Sequence, residues 1–594
     1  MAGEYWDRYW RDRKSRRGFL GGAAAISAGA AGLALVGCGD DDDDDDTGGG
    51  LATPTPGANA SPTASDPFAN AKKGGTYKAD ASGSPPSIDP LASGSFLAKG
   101  FGAYFYSRLM KYNAGPGITK ANLKPVGDAA ATVETSPDGL VWTFKLRPNL
   151  KFHNLAPVNG RAVTGEDVKY SIDRATDAKN TASSFLSGIE KHEYPDQSTV
   201  KITLKAPNAA FLDVMADTNA LYILPKESGS GGFDAAKQAI GSGPWVFDGY
   251  TPDVSFKAKR NPEWYMSGFP LMDGVEVAII PEAANRIAQF QSGNTDITGI
   301  PAELLVDIKK NLPKVQFYGE VSQLLSFFFF STKDPNAPWM KDERVRLAMS
   351  MALDRDGLTD LGYNVKKLRD AGLDVKDPWN NIIPAGMERF WLDPKGPNAG
   401  DSGQYFKYNV AEAKKLMSAA GFANGFEAKY QYTANRYGAT FNTIAETNIQ
   451  FLQAIGIKCN TEVQDYSSTY FTQTFAGNFE GIAFGYETPF PEGGAYPNRQ
   501  FGTDTLKHSQ WDDAKLRDIG VKQQQELDPA KRKELFWEYQ RYQASKMYYI
   551  PNQAGAGTGW EGHQEWMQNV NIQTVPGSYG APTEEVPFRW KNNV

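Results

Sequence analysis

The chain has 594 residues, 41% of them apolar and 12% aromatic, which is too much for one hydrophobic core and predicts two or three domains. Its net charge is −7, yet the run Asp40–Asp46 alone supplies seven negative charges. The rest is near balance, which excludes an electrostatic case for nucleic-acid binding. Two cysteines, Cys38 and Cys459, and four histidines offer poor material for a disulfide framework, a His-rich metal site or a histidine-dependent triad.

The N-terminus reads as an address. Arg16-Arg17 precede a weakly apolar Gly/Ala-rich run, Gly21 to Gly37, as in a twin-arginine export signal. The run ends Leu35-Val36-Gly37-Cys38, which resembles the lipobox of bacterial lipoproteins and makes Cys38 the expected lipidated residue. A membrane-spanning anchor is the competing reading, but the run is short for a span. Either way the body lies outside the cytoplasm. From Gly39 to Lys72 there is no apolar periodicity, only Asp, Gly, Pro, Thr, Ser and Ala in bulk, the composition of a disordered tether. The Asp run reads as a solvated spacer rather than a cation site.

Order is expected from Lys73-Gly74-Gly75-Thr76-Tyr77, with a strand. Phe101 to Lys111 is a helix-like apolar stretch. Val141 to Leu146 alternates Trp142, Phe144 and Leu146 against Val141, Thr143 and Lys145, after the turn Ser136-Pro137-Asp138-Gly139. Residues 163–175 predict a helix with Thr164 as N-cap, Asp167 closing a capping box, and Val168, Ile172 and Ala175 on one face. His153 reads as a turn or core histidine rather than a catalytic one. Residues 241–265 predict a Gly-Pro turn, a strand, a turn at Thr251-Pro252-Asp253 and a second strand. Residues 272–298 predict strand, Pro break and helix. SFFFFST, 326–332, is a buried-strand run.

Residues 340–358 predict one helix with Val345, Ala348, Met349 and Ala352 as its apolar face. In 409–421, Asn409 is the expected N-cap, Glu412 closes a capping box and Gly421 follows the C-terminus. Residues 528–553 predict a long helix with Pro529 at its first position, running into an Ile-Pro strand.

Several of these blocks carry a resemblance. GSGPWVFDGYTPDVSFKAKRNPEWY (241–265), LKPVGDAAATVETSPDGLVWTFKLRPNLKFHN (123–154) and DERVRLAMSMALDR (342–355) resemble the family 5 extracellular solute-binding proteins, the peptide-type receptors of bacterial ABC importers. The resemblance spans about residues 73–594. It implies an α/β, two-lobed periplasmic-binding-protein type II fold with a hinge, a central cleft and an extra domain inserted in the first lobe. The implied division is signal 1–38, tether 39–72, lobe I from 73–110, 216–325 and 560–594, inserted domain 111–215, and lobe II 326–559. Parallel pairing is expected in lobe II.

The implied function is capture of a small solute, peptide-like or other, and its delivery unchanged to a permease and ATPase complex. The protein is expected to be a monomer, held at the membrane through Cys38, with no cofactor and no nucleic acid. Phe479 to Phe501 is the expected pocket-forming block of lobe II. In peptide-binding relatives an aspartate of this block pairs with the ligand's amine; the ungapped fit puts Pro489 there, and a two-residue shift puts Glu487. Glu487 or Glu492 could replace the lost group if either faces the cleft. Phe484, Tyr486, Phe490 and Tyr496 are candidate aromatic contacts. Arg499 is a candidate clamp for a carboxylate or phosphate, and Arg436 and Tyr437 are candidates from the loop after the strand AKYQYTAN.

Two other readings stand beside this one. A secreted hydrolase of peptides or glycans lacks G-x-S-x-G, H-E-x-x-H or P-loop spacing, although paired carboxylates could still meet in space. A signalling or structural lipoprotein would keep the fold without feeding a transporter.

Overall fold

The computed structural model describes residues 67–93, 95–177, 180–487, 490, 492–502, 507–553, 556–570 and 582–594. The export signal, Cys38 and the tether up to residue 66 lie outside the described residues, as does Pro489.

The opening strand Thr76–Ala81 pairs in parallel with Gly274–Ile279, which runs antiparallel to Ser255–Arg260, and that strand to Trp245–Thr251. The predicted ribbon is therefore two strands of a four-stranded sheet. Its turn needs Asp253 in the left-handed region (φ 59°), a conformation Asp tolerates. The Gly-Pro turn before it is held from below. The Gly243 amide donates to the Phe105 carbonyl, and a Cβ on either Gly241 or Gly243 would collide with that carbonyl. His153 is the second support. It is buried, its Nδ1 accepts from the Gly241 amide at 3.3 Å, and its Nε2 donates to the Gly243 carbonyl at 3.1 Å. Those roles define a neutral imidazole, and burial pushes its pKa down to about 4.

The expected helix at Phe101 to Lys111 lies earlier, at Phe96–Phe105, and Met110–Tyr112 is a strand paired with Pro125–Gly127. The switch is set non-locally: the Arg108 amide donates to Asp128 at 2.7 Å and the Ala129 amide to the Arg108 carbonyl, drawing the chain into extended pairing. The sheet Ala130–Thr135, Val141–Leu146, Thr199–Leu204 and Ile189–Asp196 buries Trp142, Phe144 and Leu146, as their alternation predicts. Helix Gly165–Thr176 carries the predicted Thr164–Asp167 capping box and buries Val168, Ile172 and Ala175. Asp167 also takes Arg161, at 2.6 Å.

Strands Ile297–Ile300, Ala556–His563 and Gln316–Val321 form a sheet over a core of Ile287, Phe290, Leu305, Ile308 and Trp560. A larger core lies on a five-stranded sheet in the order Ile457–Gln464, Phe426–Thr433, Ile482–Glu487, Leu325–Phe330, Ile550–Pro551. All six residues of Leu325–Phe330 are buried. The sheet is mixed rather than parallel. Its first three strands pair in parallel, the first pair joined by the crossover helix Ala439–Ala454, whereas Leu325–Phe330 runs antiparallel to both its neighbours.

The single helix predicted at 340–358 is instead Pro338–Lys341, Glu343–Met351 and Arg355–Tyr363. Two acidic caps make the breaks: Asp342 accepts from the Arg344 amide and Asp354 from the Gly357 amide, each starting a new helix. Val345, Ala348, Met349 and Ala352 are buried nonetheless. Asn409 caps Val410–Ala419, but the Glu412 carboxylate pairs with Lys415 at 2.9 Å rather than closing a box. Helix Pro529–Lys546 has Asp528 as its cap and leads into Ile550–Pro551.

Candidate functional site

Strand Ile482–Glu487 decides the chemistry, because its successive side chains leave opposite faces of the sheet. Tyr486 pairs across the ladder with Ser326, and both line a cavity of about 190 Å³. Gly485 and Glu487 point the other way, with Phe327 and Phe329.

Three rings wall the cavity at mutual distances near 5 Å. Tyr437 to Phe441 is 4.9 Å, Phe441 to Tyr486 is 5.0 Å, and Tyr437 to Tyr486 is 5.1 Å, at interplanar angles of 56° to 76°. The Tyr437–Tyr486 contact is edge-to-face and the other two are tilted, so each ring is held by the other two. Phe484, one alternation back from Tyr486, lies behind the wall, stacked on Phe441 at 5.1 Å. Tyr363, the last residue of its helix, and Tyr486 interact through their side-chain hydroxyls. Burial pushes the Tyr363, Tyr437 and Tyr486 hydroxyls above the ordinary tyrosine range, most strongly at Tyr486, so all three stay protonated and able to donate.

The rest of the wall is Ser322, Leu324, Ser326, Thr440 and Gln553. Among the described residues no charged side chain contributes to it. Gln553 is fixed through its backbone, its carbonyl accepting from Ser326 Oγ at 2.8 Å and Asn380 Nδ2 at 3.1 Å.

The carboxylates of the block are occupied within the protein. Glu487 is fully buried with its Oε2 2.6 Å from His508 Nε2, while His508 Nδ1 donates to the Phe475 carbonyl at 2.7 Å. The imidazole is packed against Phe327, Phe329 and Phe475. Glu492 is buried against Arg532 at 2.8 Å, and burial raises its pKa. Phe490, Tyr496 and Arg499 form a separate group on and beside helix Ala495–Phe501. The Phe490 and Tyr496 rings are 4.9 Å apart, Tyr496 is buried, and the Arg499 guanidinium lies over Phe490 at 5.4 Å. Arg436 is exposed, over Tyr466 at 5.4 Å. The cavity thus gathers Tyr437 and Tyr486 from the expected residues, with Phe484 behind them. It adds Ser322, Ser326, Tyr363, Thr440, Phe441 and Gln553, which no local pattern distinguished. Ser326 was within reach of reasoning only through its cross-strand register with Tyr486. Among the described residues no cluster of acidic, His or Cys side chains could hold a metal ion.

The model of the bacterial extracellular solute-binding proteins, family 5 (middle), matches residues 124–507. The chain belongs to this family. It has the family's two-lobed fold and its role as the solute-binding component of an ABC importer. Among curated relatives, the glutathione-binding protein GsiB of Pectobacterium atrosepticum is 25% identical over 383 residues, covering 64% of this chain and 67% of its own. The heme-binding protein A of Haemophilus influenzae is 26% identical over 403 residues, covering 64% and 68%. Among solved structures, the periplasmic murein tripeptide binding protein MppA in its unliganded open form aligns with a TM-score of 0.72 at 18% identity, over 88% of this chain and 98% of that one. HbpA2 from Haemophilus parasuis aligns at 0.70 and 21% identity, over 85% and 99%. AgaA of A. tumefacien R10, in complex with agropinic acid, aligns at 0.61 and 23%, over 87% and 99%.

Proposed function

We propose that this protein closes two lobes over a small solute, holds an uncharged part of it in the cavity between Tyr437, Phe441 and Tyr486, and releases it chemically unaltered to a permease. The observation that carries this reading is a cavity walled by packed aromatic rings, with no charged side chain on its wall among the described residues. A free amine seated there would meet no carboxylate, and an uncompensated buried charge costs several kcal/mol. The relatives' names span glutathione, heme, agropinic acid and a murein tripeptide, so the scaffold does not select the solute and the cavity must.

The division proposed is lobe I from 73–110, 216–325 and 560–594, an inserted domain 111–215, and lobe II 326–559. Near the crossing at Val321, Lys120 Nζ donates to the Val321 carbonyl at 2.9 Å, and Arg389 meets Asp213 at 2.7 Å, with Tyr112 donating to the same carboxylate. On this division the Lys120 bond would tie the inserted domain to lobe I, and the Arg389–Asp213 bond would tie it to lobe II. The protein is proposed to act as a monomer outside the cytoplasm, tethered through a lipidated Cys38. Among the described residues no helix is long and apolar enough to cross a membrane.

The test is mass spectrometry of what co-purifies, then calorimetry with that solute. We expect binding without turnover; hydrolysis of peptide or glycan libraries by the pure protein would defeat the reading.

A further inference from the structure

Two short segments carry the chain directly from one sheet to another. The first runs from Val321, at the end of a strand of the three-stranded sheet, to Leu325, where a strand of the five-stranded sheet begins. The second runs from Pro551 of the five-stranded sheet to Ala556 of the three-stranded one. The crossings lie side by side: Val321 pairs with Ala556 at one end, and Phe327 with Pro551 at the other. They also carry part of the cavity wall. Ser322 and Leu324 belong to the first crossing, Gln553 to the second.

Between the two ladders the crossings share one side chain. Asn380 is fully buried; its Nδ2 donates to the Leu324 carbonyl at 3.3 Å and to the Gln553 carbonyl at 3.1 Å. Its Oδ1 accepts from the Ala385 amide at 3.0 Å, which sets the amide group's orientation. An Asn side chain has two N–H donors on one atom, so it serves two carbonyls at once where a hydroxyl serves one. The backbone bridge between Trp379 and Gln553 reaches the second crossing alone. Asn380 is not itself on the cavity wall; it acts through residues that are.

We infer that Asn380 is a positioning residue of the cavity: by bonding both crossings it holds them at one separation, so that Leu324 and Gln553 keep their places on the wall as the lobes move. This rests on the two-lobed solute-binding reading above. It extends that reading by naming the side chain that couples the crossings. Domain closure turns on a few residues that absorb backbone rotation, and two crossings tied to one amide bend together rather than separately.

The test is hydrogen–deuterium exchange read by mass spectrometry on the full chain, in the parent, Asn380→Ala and Asn381→Ala. Asn381 is the matched control. It is 1% exposed, its Nδ2 donates to the Leu392 carbonyl at 3.2 Å, and its Oδ1 accepts from the Ile382 amide at 2.8 Å. Its loss removes a neighbouring buried amide without touching either crossing. In Asn380→Ala we expect the peptides carrying Leu324 and Gln553 both to exchange about tenfold faster than in the parent, the change worth about one lost hydrogen bond. In Asn381→Ala both should exchange at the parental rate, whereas a purely structural role for Asn380 would give the two variants the same profile. If Asn380→Ala does not fold, Asn380→Asp, which keeps the size and the acceptor for Ala385 but offers no donor, takes its place with the same expectation. If neither folds, Asn380 is a folding determinant and the inference falls. Faster exchange at one crossing alone, at neither, or at both in Asn381→Ala as well, overturns it. No solute enters this measurement, so a failure of the solute-binding reading shows separately, as pure protein that carries and binds none.

Discussion

The two faces of strand Ile482–Glu487 are a single residue apart in sequence and opposite in chemistry. On one, Tyr486 joins Tyr437 and Phe441 around a cavity whose wall carries no charge among the described residues. On the other, Glu487 and His508 make a pair with no solvent exposure, sealed by phenylalanines. The first face is built to be completed by something else; the second is already complete. A carboxylate next to an aromatic ligand contact is thus not evidence of an amine anchor when a strand carries them both.

The comparison breaks most visibly if the sealed face is opened. His508→Ala removes the imidazole that the buried Glu487 carboxyl faces and should cost about 3–5 kcal/mol of stability in denaturant titration. Solute affinity of the folded protein should stay within about threefold. A variant as stable as the parent, or one that selectively loses affinity, would mean the two faces are not separate.

His153 sharpens the contrast, because it is a buried histidine bonded to backbone rather than to an acid. Its folded pKa of about 4 lies below the ordinary 6.5, so the unfolded chain takes the proton first on acidification. Its neutral form is fully tolerated above pH 6.5, and roughly 3 kcal/mol should be lost as pH falls from 6.5 to 4. In His153→Gln this part of the acid sensitivity should disappear when unfolding is followed across that range; an unchanged slope contradicts the assignment.

On the open face, Tyr486→Ala should weaken solute binding by more than about tenfold while leaving the Glu487–His508 pair intact. Calorimetry reads this directly, and unaltered affinity removes Tyr486 from the site. The smallest effect belongs to the sheet's exposed border. Glu427 and Lys458 pair at 2.7 Å in full view of solvent, and Lys458→Ala should leave both stability and affinity unchanged within the error of denaturant titration and calorimetry.

Much of the frame was legible locally. The ribbon at 241–260, the capping box at Thr164 and the buried run at 325–330 follow from turn chemistry, side-chain period and caps. What escaped depended on distant partners. Asp128 turns the residues around Arg108 from helix to strand, and nothing near Phe101 announces it. The mixed pairing of the large sheet depends on the direction in which Leu325–Phe330 enters it. The same holds for the site: period two places Phe484 and Tyr486 together, but Tyr363, Phe441 and Gln553 reach the cavity from other elements through tertiary packing alone. Aromatic character singled out Phe490 and Tyr496, and charge singled out Arg499, yet on and beside helix Ala495–Phe501 they pack against one another rather than on the cavity wall.

The most direct measurement is a crystal structure of the protein with the solute that co-purifies. The account predicts density for the solute against Tyr437, Phe441 and Tyr486, with Glu487 still bonded to His508. Solute bound to a Glu487 carboxylate turned out from His508, or seated wholly outside the aromatic cavity, would contradict it.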